Sequence, residues 1–503
     1  MKKLAKLSAL VLALSLSVGL AAGCNKQVVG DQYTIQLYMW DSGLGTDWME
    51  EIIEDFNASQ DTYTVLPEYT SAAGAIISTL SLGSGNQYDL YFTMLNTMQY
   101  NEDFLDLSDF IKETLPGENA SIKSKYYPDL LDGMYNADDT INTLSYGNCW
   151  CGILYNKTMI SEDELPRTTD ELADLSAEIG SQKAWLFYND QYNNGYWNYV
   201  TYVWEAQYDG LDYYNNTMMQ LKDAAGNSPS KEVMLGTDKG TDANYYEKDG
   251  RYQALLAMES MLTSNTVNPS STNQNFTTVQ NLFLGGHAAM SIGGNWIMKE
   301  MSKVNEDIAM MKIPVISSIT DKLEDTSMSD RELSAIVAEI DANPEATASA
   351  AGLCSGNDYM RIKQARNLMY NNGTEMYVFI PEYSNCIEGA KEFLRYFYSD
   401  AGTLVYMNST GLPASVRLTD ESKFDVSKLS DWNQTAFEFT ASLTPLVTRM
   451  DRADLFKDLG LNQYAGISTA QPLFKSNNDK RNAKQLWDSM ISRINENWSE
   501  WAA

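Results

Sequence analysis

Histidine is nearly missing from this chain: His287 is the only one in 503 residues. A serine or cysteine nucleophile activated by histidine, or a zinc centre built on two or three imidazoles, would have to pass through that residue. It stands in the turn F-L-G-G-H-A-A among small residues and reads as a surface residue. No metal site and no cofactor is expected. Positive charge is also scarce, with 36 Lys and Arg against 67 Asp and Glu, a formal balance of −31. Such a field repels phosphate backbones and anionic headgroups, which excludes nucleic acid as a partner and favours a neutral or cationic small ligand. Past the first two dozen residues no apolar run is long enough to span a bilayer, and there is no internal repeat or low-complexity segment.

What is present is a long chain with a generous aromatic supply, 31 Tyr and 11 Trp. Its length is enough for two or more lobes, each with its own core. Lys2, Lys3 and Lys6 form a basic start, residues 7–20 an apolar segment, and Ala21-Ala22-Gly23 a small-residue cleavage site before Cys24, the pattern of an export signal. Removing residues 1–23 takes away three Lys and no acid, so the balance moves from −31 to −34. Four cysteines then remain besides Cys24. Cys149 and Cys151, on one face of a strand, would have Cα atoms about 6.6 Å apart, the upper edge of disulfide geometry. Cys354 could pair with Cys386; buried free thiols are the favoured reading.

Strand and helix periodicities alternate from the start. Residues 33–40 alternate as a strand ending at Trp40-Asp41-Ser42-Gly43; Trp48, Met49, Ile52, Ile53 and Phe56 recur at helical spacing. A strand at 62–66, a helix at 75–82 and a strand at 88–93 complete β-α-β-α-β, which argues a parallel sheet covered on both faces. Further strands are read at 144–156, 184–188, 313–316 and 377–381. Thr168-Thr169-Asp170-Glu171 opens a capped helix, Ser384 is placed to cap another, and residues 210–250 and 317–358 are extensions, the second with an amphipathic helix at Leu333, Ile336, Val337 and Ile340. The unit around which the rest is organised runs from Phe283 to Trp296, F-L-G-G-H-A-A-M-S-I-G-G-N-W. A helix stops at Gly285-Gly286, a strand follows, and Gly293-Gly294-Asn295 presents Trp296 at its end. Ligands of open α/β sheets collect beyond the carboxyl ends of the strands, so this unit is placed to build a binding wall. A core tryptophan beside a tight turn is the competing reading.

L-A-A-G-C at 20–24 resembles the lipobox of bacterial lipoproteins, in which the cysteine is acylated, with palmitate for example, and becomes the mature N-terminus. With it, the strand ending in Trp40, Y-D-L-Y-F at 88–92, G-I-L-Y-N-K at 152–157, L-P-R-T-T-D-E-L at 165–172, the 283–296 unit and E-G-A-K-E-F-L-R-Y-F before G-L-P-A resemble, in order, family 1 of the bacterial extracellular solute-binding proteins. These serve ABC importers, and the likeness is to the carbohydrate-associated, maltose-binding-protein-like branch. The resemblance implies an α/β fold of two lobes, of the periplasmic-binding-protein class II type, with a ligand cleft between them. It implies a signal peptide over 1–23, a linker over 24–30 after a lipidated Cys24, one lobe from 31–152 plus 303–411 and a second from 153–302 plus 412–503. Positions matching the family's cleft are Trp40 and Asp41, Thr93 and Met94, Asn189, Asp190, Gln191 and Tyr192, and Asn295 with Trp296; Tyr383, after a strand, is a further candidate.

In this reading rings stack on the apolar face of a sugar while Asp and Asn side chains orient its hydroxyls. Two rings covering about 100 Å² each supply about 5 kcal/mol at 25 cal/mol per Å², short of the roughly 8 kcal/mol of a micromolar ligand, so polar side chains must contribute. The partners implied by the resemblance are a small solute, a carbohydrate by the branch it resembles, an ABC permease that recognises the closed form, and the outer face of the cell membrane through Cys24. The competing class is a lipid-anchored glycoside hydrolase, which needs two carboxyls about 5–9 Å apart across a cleft.

Overall fold

The computed structural model describes residues 28–29, 32–41, 43–94, 97–136, 138–188, 196–215, 230–240, 243–272, 274–302, 305–447, 470–474 and 480–501. The signal segment and Cys24 lie outside these residues.

Two sheets organise the chain. The first is built on β2 (Gln32–Trp40), flanked by a short β1 (Val28–Val29), by β3 (Tyr63–Thr70) and by β4 (Leu90–Thr93). Both β3 and β4 run parallel to β2, in register from Tyr33 opposite Tyr63 and from Leu37 opposite Leu90. This sheet closes with β5 (Leu144–Ser145) and β10 (Tyr377–Phe379), and β10 runs antiparallel to both its neighbours. The alternation in β2 buries both faces, as expected. Ile35, Leu37 and Met39 join the core shared with Trp48, Ile52 and Phe56 of α1 (Asp47–Ser59), while Tyr38 joins Tyr88, Tyr91 and Phe379 beside α2 (Ala73–Leu80).

The second sheet has order β11-β9-β6-β7, with β8 also on β6. Its centre is β6 (Trp150–Asn156), in which every residue is buried. Against it pair β7 (Met290–Gly294), β8 (Ile308–Met311) and β9 (Leu368–Asn371), all antiparallel, and β11 (Thr444–Leu446) extends β9. Around this sheet lie α3 (Thr169–Ile179), α4 (Asn198–Asp209), α5 (Gly250–Met261), α6 (Phe276–Leu284), α7 (Ile297–Glu300), α8 (Asp330–Ala342) and α9 (Gly356–Arg366). The first sheet carries α10 (Ile387–Phe397) and α11 (Asp400–Thr410); α12 (Asp431–Ser442) and α13 (Ala483–Trp501) follow.

The resemblance returned the chain to its first half at residue 303. Instead β8 and β9 both pair with β6, so residues 308–371 belong with the second sheet. Just before β8, Asp307 O accepts from Lys157 N–H, just past the end of β6, at 2.6 Å. The chain passes between sheets at 145–150, at 371–377 and beyond Gly411. One carbonyl gathers these passages: Ser145 O accepts from Tyr126 Oη at 2.7 Å, Tyr398 Oη at 2.8 Å and Ser415 Oγ at 2.7 Å.

Other local expectations are adjusted. Residues 184–188 and 313–316 form only bridges, Trp185 with Met290 and Val315 with Thr168. Ser384 does not cap α10; its hydroxyl donates to Asp89 Oδ1 at 2.7 Å. After α6 it is Gly286, at φ +78, that takes the left-handed position, while Gly285 stays at −84. The 317–358 extension contributes α8, opened by a reciprocal cap between Ser329 and Glu332. All four described cysteines are free thiols, so Cys354 and Cys386 are not bridged. Among the described residues no helix is long and apolar enough to cross a membrane, and no group of three His, Cys, Asp or Glu is placed to hold a metal.

Candidate functional site

The carboxyl ends of β2 and β4 approach the end of β7 around one glycine. Asp41 N–H donates to Thr70 O at 2.8 Å as β2 finishes, and Gly43 turns the chain into α1 with φ +65. A Cβ placed on Gly43 would lie 3.8 Å from the Trp296 ring and 4.0 Å from Met94 Sδ, so the two halves touch here. Trp296 stands two residues past the end of β7 and its ring folds back over Gly294, where a Cβ would fall 1.8 Å from it; only glycine admits that ring position. Tyr196 and Tyr199 stand edge-on to the indole at centroid distances of 6.3 and 6.1 Å. The cluster continues through Tyr370, 4.9 Å from Tyr199, whose hydroxyl donates to Glu375 Oε1 at 2.5 Å.

Asn295 points to the other side of the same turn. Its backbone N–H donates to Trp150 O at 3.0 Å and its carbonyl accepts from Trp432 Nε1 at 2.9 Å. Its side chain is buried at 5% exposure, yet neither Nδ2 nor Oδ1 has a partner. Trp40 Nε1 is likewise buried without a partner. Buried amides without partners are rare because each costs about 1–3 kcal/mol. Asn295 lines a groove of about 1220 Å³ whose walls come from both halves: Asp41, Thr46 and Asp47 on one side, Asn295, Lys299 and Lys312 on the other, with Trp432 on α12. Several acids line it, but Asp341 is committed to Arg366 at 2.8 Å and Lys312 at 3.1 Å. Burial raises the Asp341 carboxyl, and the bonds and charges of these two partners overcome that and hold it below its usual value.

The expected site residues therefore divide. Asp41 is exposed at the groove mouth and shares that groove with Asn295. Met94 and Trp296 meet across Gly43 on the aromatic side, and Trp296 is only 6% exposed, so its ring is packed and not displayed. Trp40 is half-buried against the cluster of Tyr38, Ile76 and Tyr377. Thr93 is wholly buried, in register with Tyr377. Tyr383 is a correction. Because β10 runs antiparallel to β4, the loop after it lies at the amino ends of β2 and β4, where Tyr383 Oη accepts from Asn86 Nδ2 at 3.2 Å. Asn189, Asp190, Gln191 and Tyr192 lie outside the described residues. His287 is exposed. Sequence reasoning missed Trp432, Glu300, and the Tyr199–Tyr370 contact. Trp432, in the first turn of a helix capped by Ser430, carried a local signal; the others depend on long-range pairing.

A two-sheet α/β chain whose strand ends face each other across such a junction has the architecture of a two-lobed binding protein. The model for the family described as bacterial extracellular solute-binding protein matches residues 42–404, and the chain belongs to that family. Membership implies an extracytoplasmic location, and the family is one of binding proteins. Solved structures share the fold. A family 1 extracellular solute-binding protein from Bifidobacterium longum subsp. infantis aligns over 93% of this chain and 100% of its own at 16% identity and TM-score 0.51. RafE in complex with raffinose aligns over 93% and 100% at 15% and 0.57; the RafE apo-form structure names Streptococcus pneumoniae as source. The maltotriose binding protein of Thermus thermophilus, bound with maltotriose, aligns over 92% and 99% at 13% and 0.54. Among curated proteins none matches.

Proposed function

We propose that the protein captures a saccharide between its two halves and hands it to the permease of an ABC importer, while Cys24 anchors it by acyl chains to the outer face of the cell membrane. The observation that carries this reading is the Asn295 amide, buried at the junction with both polar atoms unpartnered, beside a groove walled by both halves. A polyhydroxyl solute supplies donors and acceptors to such an amide, and Asp41 adds a carboxylate acceptor in the same groove. The solved relatives bound to raffinose and maltotriose make a sugar the reasonable class. Binding both halves favours the closed form, which a permease distinguishes from the open one. The test is a thermal-shift and calorimetric screen of the mature protein with raffinose, maltotriose and chitin oligosaccharides. Saturable binding without turnover supports the proposal. Release of reducing sugar would instead support a hydrolase, and absence of binding to any saccharide would refute the solute class.

A further inference from the structure

A cavity of about 440 Å³ opens at the other end of the first sheet from the junction, among the amino ends of β2 and β4 and the loop that enters α10. Its size falls within the roughly 300–1,000 Å³ of small-molecule pockets. Among the described residues no Lys, Arg or His lines it. The carboxylates that do line it already have partners within the protein. Asp89, 3% exposed, accepts from Gln36 N–H at 2.9 Å, Ser384 Oγ at 2.7 Å and Cys386 N–H at 3.0 Å, and Glu388 pairs with Lys391 at 3.5 Å. What remains for a ligand is uncharged. Thr34 lines the cavity, is 4% exposed, and its Oγ1 has no partner. Gln87 adds an exposed amide, and the rings of Tyr33 and Tyr63 stand 6.2 Å apart, inclined at 42°. An anion meets no cation here and is opposed by a chain with 67 acids against 36 bases. A cation meets Asp89 already held by three donors. A hydrocarbon leaves the buried Thr34 hydroxyl unsatisfied. Hydroxyls for the polar atoms and an apolar face for the rings are together the chemistry of a sugar ring. We propose that this cavity is a second saccharide site, separate from the groove at Asn295, in which Thr34 Oγ1 exchanges a hydrogen bond with a sugar hydroxyl while Tyr33 and Tyr63 cover the sugar's apolar face. It does not depend on capture between the halves.

Cys386 lines the same cavity, so its thiol reports occupancy. The experiment follows alkylation of Cys386 by iodoacetamide, read by peptide mass on the mature full chain, while maltotriose, raffinose and a chitin oligosaccharide are each raised to millimolar concentration. Expected is a saturable slowing by at least one of these probes. Thr34→Val keeps the shape of the side chain and removes the hydroxyl, and should raise the half-protecting concentration about tenfold, the worth of one hydrogen bond. Gln87→Ala, at an exposed position, should shift it in the same direction and serves where Thr34→Val fails to fold. Asn295→Leu, directed at the groove, should leave the protection of Cys386 as it is. An alkylation rate unchanged by every probe overturns the site, as does protection that both cavity variants keep in full or that Asn295→Leu removes. Where Cys386 resists the reagent even without a probe, equilibrium dialysis decides: at a fixed probe concentration, less saccharide bound per chain in the cavity variants supports the site, and an equal amount overturns it. Failure of the groove reading shows differently, as probe binding that Asn295→Leu leaves unchanged and the cavity variants weaken.

Discussion

Replacing Asn295 with leucine should stabilise the ligand-free protein and disable its binding at once. Asn295 is 5% exposed, with neither side-chain Nδ2 nor Oδ1 partnered. An apolar side chain of similar volume removes that desolvation cost, worth about 1–3 kcal/mol. If the halves melt separately, each of about 250 residues, the unfolding entropy is about 0.5 kcal/mol/K, and the gain appears as a rise of about 2–6 °C. Against the saccharide the sign reverses. Solute hydroxyls lose the amide and face a hydrocarbon, and an affinity loss of about 10- to 100-fold is expected. Differential scanning calorimetry without ligand gives the first quantity, and isothermal titration with whichever saccharide the screen returns gives the second. A fall in melting temperature of more than about 2 °C with unchanged affinity would show that the amide serves the fold and not a ligand. Asn295→Asp is the companion variant: an unpaired buried charge should lower the ligand-free melting temperature.

Gly294→Ala places a methyl where the Trp296 ring lies, 1.8 Å away, so the indole must swing out; near-ultraviolet circular dichroism should change and saccharide affinity fall, while a native spectrum with full affinity would refute the role of the ring position. Tyr383→Phe should leave affinity within about twofold, because Tyr383 sits at the far end of the first sheet beside Asn86; a tenfold loss by titration would place it in the site after all. Lys125, buried between Glu118 at 2.8 Å and Asp400 at 2.9 Å, is a stability residue: Lys125→Met should cost about 3–5 kcal/mol in urea unfolding by removing the buried cation these carboxylates share, Asp400 keeping only Lys423 at 2.9 Å as a cationic partner. At Asp400 burial raises the carboxyl, but bonds from Thr419, Lys125 and Lys423 more than offset it and hold it well below its usual range. A depressed carboxyl contributes stability above its unfolded pKa and loses it as pH falls below about 4. The melting temperature should therefore drop on acidification from pH 4, and less steeply in Lys125→Met; equal slopes would remove the network from the account.

The residues themselves determined the local vocabulary. Alternation in β2, the Trp48-Ile52-Phe56 face of α1 and the cap at Thr168 each follow from neighbours within a few positions, and each is where it was expected; Gly293 and Gly294, expected in the turn before Trp296, are instead the last two residues of β7. The family was readable for the same reason, since its motifs are short segments in a fixed order. Tertiary structure alone decided which sheet β8 and β9 join, that β10 runs antiparallel and carries Tyr383 away from the junction, and that Asn295 and Trp296, adjacent in sequence, face opposite sides of one turn. A period-two pattern is identical for parallel and antiparallel neighbours, and whether a buried amide finds a partner depends on residues more than a hundred positions away, so neither was written locally.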